Sequence, residues 1–176
     1  MVHDARQQYE NAARNAKGHC FESYIKAACT IYAERGRAQI DKTPEPFRVL
    51  EKNKNGIFKG RFTAHAQPDF QGTLSGGRSI VFEAKYTDKD RLKRNALTEN
   101  QQKALEHHSK CGAITAVCAG IGNEFFFVPW EIWRDMKDRF GRQYVTAADI
   151  QPWRVRFTGQ VMFLDYERGS GKNAQN

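Results

Sequence analysis

The sequence contains no C-x-x-C pair: Cys20, Cys29, Cys111 and Cys118 stand far apart among apolar neighbours. A zinc cage or disulfide framework needs closer or more regular spacing, so reduced and mostly buried thiols are expected. A charged-then-apolar leader is lacking, as is any apolar run near the ~20 residues that span a bilayer. The expected location is therefore the cytoplasm, with no membrane partner. No internal repeat and no composition break marks a domain boundary. Acidic residues fall short of basic ones, 20 against 28, which leaves a formal charge of +8. That surplus favours a polyanionic partner, although many basic proteins bind no nucleic acid.

What is present suits one α/β domain. The chain has 176 residues, 40% hydrophobic and 12% aromatic, enough for a core around a small sheet. A single domain over 1–168 is expected, with a hairpin insertion at 47–66 and a disordered, small and polar tail at 169–176. Residues 11–34 have helical spacing, with Phe21, Ile25, Ala28 and Tyr32 on one face and Gly36 as the stop. A short strand at 38–42 ends before Pro44 and Pro46. The stretch 47–66 is basic (Arg48, Lys52, Lys54, Lys59 and Arg61), and Asn55-Gly56 is a two-residue hairpin signal. It reads equally as a solvated surface ribbon or a DNA-contacting arm. Strands at 69–74 and 79–85 follow, joined by 75–78. Next come a helix within 93–109, an apolar strand at 113–119 and a strand at 124–128. Pro129 then opens a short helix bearing Trp130 and Trp133, and the region after Val145 holds strand pieces that include 161–164.

The segment Ile80-Val81-Phe82-Glu83-Ala84-Lys85 carries the chemistry. Strand alternation sends Glu83 and Lys85 to one face, while Ile80, Phe82 and Ala84 pack on the other. Asp69 arrives on the neighbouring strand. Two carboxylates suit Mg²⁺, a hard cation that favours oxygen, with Mn²⁺ a plausible substitute. A lysine beside them orients the nucleophile or stabilises charge in phosphodiester hydrolysis. The same letters would also fit a surface ion pair on an edge strand.

Register tests this reading. A two-residue turn at Gly76-Gly77 would set Asp69 opposite Ala84, on the wrong face. Asp69 joins Glu83 only through an odd loop or a bulge, for which Gly72 is the natural place. Gln101 lies on an otherwise apolar stripe with Leu97, Ala104, Leu105 and His108, so it fits the site. Thr98-x-x-Gln101 fits a helix capping box equally well. Glu22, next to Phe21, is a further candidate carboxylate, although a solvent-facing glutamate would look the same.

Six pieces in this order resemble the RecU-type Holliday-junction resolvases of the PD-(D/E)xK nuclease superfamily. They are Lys17-Gly18-x-x-Phe21-Glu22, Ile40-x-Lys42-x-Pro44-x-Pro46, Pro68-Asp69-Phe70-x-Gly72, Ile80-x-Phe82-Glu83-Ala84-Lys85, Asn100-Gln101 with Leu105, and the segment 125–133. The resemblance implies a restriction-endonuclease-like core, a mixed sheet flanked by helices, with a stalk-like hairpin at 47–66 entering a four-way junction. It also implies Mg²⁺, a homodimer, and symmetric nicking of opposing strands in recombination and repair. By motif position Asp69 and Glu83 become metal ligands, Lys85 the transition-state stabiliser, Gln101 a metal-site residue and Glu22 a neighbour of the site. Lys42, Lys54, Lys59 and Arg61 become DNA contacts. Two positions depart from the pattern. Gln67 stands where the family has a threonine metal-site group, and Asn100 stands where it has a histidine. The alternatives are an endonuclease for duplex or other branched DNA, and a catalytically silent DNA-binding homologue.

Overall fold

The computed structural model describes the backbone of residues 2–44, 47–52, 58–62 and 67–166, and the side chains of 16–44 and 67–166. Helix α1 (Val2–Glu34) leads into β1 (Ala38–Lys42), β2 (Phe47–Lys52), β3 (Phe58–Phe62), β4 (Phe70–Leu74), β5 (Ser79–Thr87) and β6 (Arg91–Lys93). Helix α2 (Glu99–Lys110), β7 (Ile114–Ile121), β8 (Glu124–Pro129), α3 (Trp130–Arg134) and α4 (Met136–Phe140) follow. Strands β9 (Tyr144–Thr146), β10 (Val155–Phe157) and β11 (Val161–Tyr166) complete the order. No described helix is long and apolar enough to cross a membrane.

Five strands form the central sheet in the order β1-β4-β5-β7-β8. Only β5 and β7 run parallel, and the other pairs are antiparallel, so the sheet is mixed. Helix α1 covers one face through Phe21, Ile25, Ala28 and Tyr32, all buried as their spacing predicts. The helix begins at Val2, earlier than the expected residue 11. Its end is a Schellman motif: Gly36 N–H donates to Ala33 O and Arg37 N–H to Tyr32 O, with Gly36 at φ +61°. Leu97, just before α2, and Leu105, within it, pack with Trp130 and Trp133 on the other face, and Trp130 Nε1 ties the helix by donating to Glu106 at 2.8 Å.

Strand β5 is therefore covered on both sides. Ile80, Phe82 and Ala84 join the cluster under α1, while Val81 joins the cluster under α2. Phe70 and Phe82, next to Asp69 and Glu83 in sequence, stack with ring centroids 5.0 Å apart and planes within 6°. That contact pins β4 against β5 beside the carboxylates.

Two expectations are corrected here. Gly72 is not a bulge, because the pairing from Phe70↔Phe82 to Thr73↔Ser79 is regular. Its role is close approach: a Cβ on Gly72 would lie 2.0 Å from Gln39 O and 2.6 Å from Ile40 Cα. Nor are the thiols mostly buried. All four are free, but only Cys29 and Cys118 are buried. Cys20 is off the α1 stripe and Cys111 sits at the C-terminal end of α2, and both are exposed. The basic ribbon is a two-stranded β2–β3 sheet with an irregularity between Val49 and Glu51. The Asn55-Gly56 turn, Lys54 and the tail at 169–176 lie outside the described residues.

Candidate active site

The turn decides the site. Leu74 N–H donates to Arg78 O and Gly77 N–H to Leu74 O, both at 2.9 Å, which leaves Ser75, Gly76 and Gly77 as a three-residue connection. Gly76 and Gly77 take φ of +92° and +89°, open to glycine without a Cβ penalty. An odd loop was one of the two conditions for bringing the acids together. Continued by one residue, the register sets Asp69 opposite Glu83.

The side chains meet as that register requires. Lys85 Nζ lies 3.5 Å from Asp69 Oδ2 and 3.4 Å from Glu83 Oε2. Asp69 is steadied by the backbone, since Ala84 N–H donates to its Oδ2 at 2.9 Å. Gln101 caps its helix and also reaches Glu83. Its Oε1 accepts from Thr98 N–H at 3.0 Å, within a complete capping box. Its Nε2 donates to Glu83 Oε2 at 2.6 Å. The cap thus fixes the amide so that it presents a donor, rather than an oxygen, to the acidic pair.

Glu83 is fully buried, and its Oε1 has no hydrogen-bond partner. Burial first, and the Asp69 carboxylate second, raise its pKa to about 8, against a partial pull downward from Lys85. A buried carboxylate beside a second one, with an oxygen left unsatisfied, is a donor set for a divalent cation. Among the described residues no three His, Cys, Asp or Glu side chains gather to hold a metal, so the carboxylates number two.

The structure therefore brings together Asp69, Glu83, Lys85 and Gln101. Glu22 instead pairs with Lys42, an ion pair on the α1 side of the sheet, in the row of Phe70 and Phe82. Gln67 is exposed. Lys59 and Arg61 lie on β3, in register with Glu51 and Arg48. Sequence reasoning passed over two contributors. One is the Ala84 amide, which no side-chain pattern signals. The other is Thr43, buried beside Asp69, whose N–H donates to Asp69 O at 2.9 Å.

The profile of the family described as RecU, recombination protein U, matches residues 16–168. Among curated proteins there is no match. Among solved structures, the chain is similar to Hjc of Archaeoglobus fulgidus, a Holliday junction resolvase from an archaeal hyperthermophile. Identity is 14%, the match covers 74% of this chain and 88% of that one, and the TM-score is 0.46.

Proposed function

The chain belongs to the RecU family of Holliday-junction resolvases, which are endonucleases, and from that premise we propose how its own residues hydrolyse the phosphodiester. Asp69 and Glu83 hold a divalent ion, Mg²⁺ with Mn²⁺ as substitute. The observation that carries this reading is the buried, unpartnered Oε1 of Glu83 beside Asp69. Bound there, the ion would neutralise charge on the phosphate and acidify water.

The protein's side chains do the rest. Gln101 keeps Glu83 Oε2 in place through a 2.6 Å hydrogen bond, and the Ala84 amide keeps Asp69 in place. The Lys85 ammonium, held between the two acids, is set to orient the attacking water and to stabilise the charge that builds on the phosphoryl oxygens. The water oxygen bonds to phosphorus as the bond to one sugar oxygen breaks. One water proton leaves, and the departing sugar oxygen ends protonated. The nuclease domain spans 1–168 with the 47–66 ribbon as its junction-entering insertion, and the enzyme acts as a homodimer, because two symmetric cuts need two sites.

The test uses labelled four-way junction, linear duplex and single strand with Mg²⁺, beside Lys85→Ala. Paired, symmetric nicks confined to the junction and lost with Lys85 are expected. Equal cutting of duplex would replace junction selectivity, and cleavage that survives Lys85→Ala would remove the lysine from the chemistry.

A further inference from the structure

Among the described residues, three buried side-chain polar atoms lack a hydrogen-bond partner: Thr43 Oγ1, Glu83 Oε1 and Arg142 Nε. Two of the three lie in one row across the sheet. Lys42 pairs with Phe70, and Thr43 N–H then donates to Asp69 O at 2.9 Å, which sets Thr43 directly opposite Asp69. Asp69 in turn falls opposite Glu83. Directly opposed residues of antiparallel strands share a face. Thr43, Asp69 and Glu83 therefore line up on the α2 side, while Lys42, Phe70 and Phe82 line up on the α1 side.

Thr43 also differs from the strand it follows. Gln39 and Asp41 share its face and are exposed, yet Thr43 is only 8% exposed. Burying a hydroxyl without a partner is unfavourable, and valine would fill the same space without that cost. A threonine at this position thus points to a polar occupant of the row. Strand spacing of roughly 4.8 Å sets the hydroxyl one strand from Asp69 and two from Glu83. At that remove, hydrogen bonding to a water of the ion's shell suits it better than ligating the ion, and Mg²⁺ keeps several such waters.

We propose that Thr43 is a positioning residue whose hydroxyl hydrogen-bonds a water in the shell of the divalent ion held by Asp69 and Glu83. This rests on reading the acidic pair as an ion site. Outer contacts of this kind typically change metal affinity ~10-fold or more.

The experiment titrates Mn²⁺ into the full chain without DNA, following free Mn²⁺ by its electron paramagnetic resonance signal. Wild type, Thr43→Val, Thr43→Ser and Glu83→Gln are compared, with metal-free melting curves beside them. Glu83→Gln should abolish saturable binding and Thr43→Val should weaken it ~10-fold, while Thr43→Ser restores it. A melting temperature for Thr43→Val at or above wild type confirms that the fold is kept. Should that variant melt lower, Thr43→Ala supplies the hydroxyl-free comparison. Wild-type affinity in the hydroxyl-free variant, with binding still lost in Glu83→Gln, overturns the role of Thr43 and leaves the ion site standing. No saturable binding in wild type, or none lost in Glu83→Gln, overturns both.

Discussion

Glu83 keeps its proton well above the usual carboxylate range in the metal-free state, because it is buried and a second carboxylate lies alongside. With a folded pKa of about 8 against an unfolded value near 4.5, the folded chain binds one more proton through the interval between them. Its contribution to metal-free stability is full below about pH 4.5, declines as pH rises through about 8, and is flat beyond. Every tenfold difference in proton affinity between the folded and unfolded chain corresponds to about 1.4 kcal/mol. Urea unfolding of wild type across that interval should lose stability that Glu83→Gln keeps, and parallel profiles would refute the raised pKa. The same proton must leave when an ion binds. Apparent Mg²⁺ affinity should then climb with pH up to about 8 and level off, with proton release visible by calorimetry in buffers of different ionisation heat. Affinity that is indifferent to pH would contradict it. Lys85→Ala should cut junction cleavage by roughly 10²- to 10³-fold in single-turnover assays while junction binding holds. Comparable losses in both would make the lysine a binding group.

At the scale of the element, α2 and β4 each carry a residue whose removal disturbs more than itself. Thr98→Ala should cost about 1 kcal/mol by loss of the cap. Gln101→Ala should cost more, about 1–3 kcal/mol in urea titrations, since it also strips Glu83 of the shorter of its two hydrogen bonds. Equal costs would mean the hydrogen bond to Glu83 contributes nothing. Gly72→Ala confronts backbone, and backbone yields poorly: β1 must shift, at about 3 kcal/mol. Because β1 carries Lys42 and leads into Thr43, that variant should also impair cleavage beyond its effect on stability. The alternation of residues 80–85 and the Thr98–Gln101 spacing were readable from the letters because both obey local periodicities. Gln101 was undecidable there because capping the helix and reaching Glu83 are compatible, one at each end of a single amide. Thr43 was invisible, since its burial depends on pairing beside β4, which the chain reaches only after the β2–β3 ribbon. The parallel partner of β5 was equally hidden, as β7 arrives only after α2.

For the whole molecule, we propose that the charge of +8 and the ribbon at β2–β3 govern how DNA is met. Lys59→Ala with Arg61→Ala should weaken junction binding more than duplex binding in gel-shift titrations at fixed salt. Equal losses would reduce these residues to general phosphate contacts. Light scattering should give twice the chain mass, and a monomer that still cuts in pairs would contradict the two-site arrangement. The layered plan, helix over sheet over helices, followed from the spacing of apolar residues along α1 and the strands. The start of α1 at Val2 did not, because the polar residues before Asn11 show no apolar stripe.

The connection between Leu74 and Arg78 also limits how this gene can drift. Ser75, Gly76 and Gly77 are few and touch no substrate group described above, yet the strand pairing they close decides which face Asp69 occupies. A residue gained there leaves Asp69 opposite Glu83 if the loop absorbs it, but a one-residue slip of the pairing itself would turn Asp69 to the phenylalanine side. Descendants of this chain should thus be free to respell or lengthen the tip of the hairpin long before they are free to slip the strands that it joins.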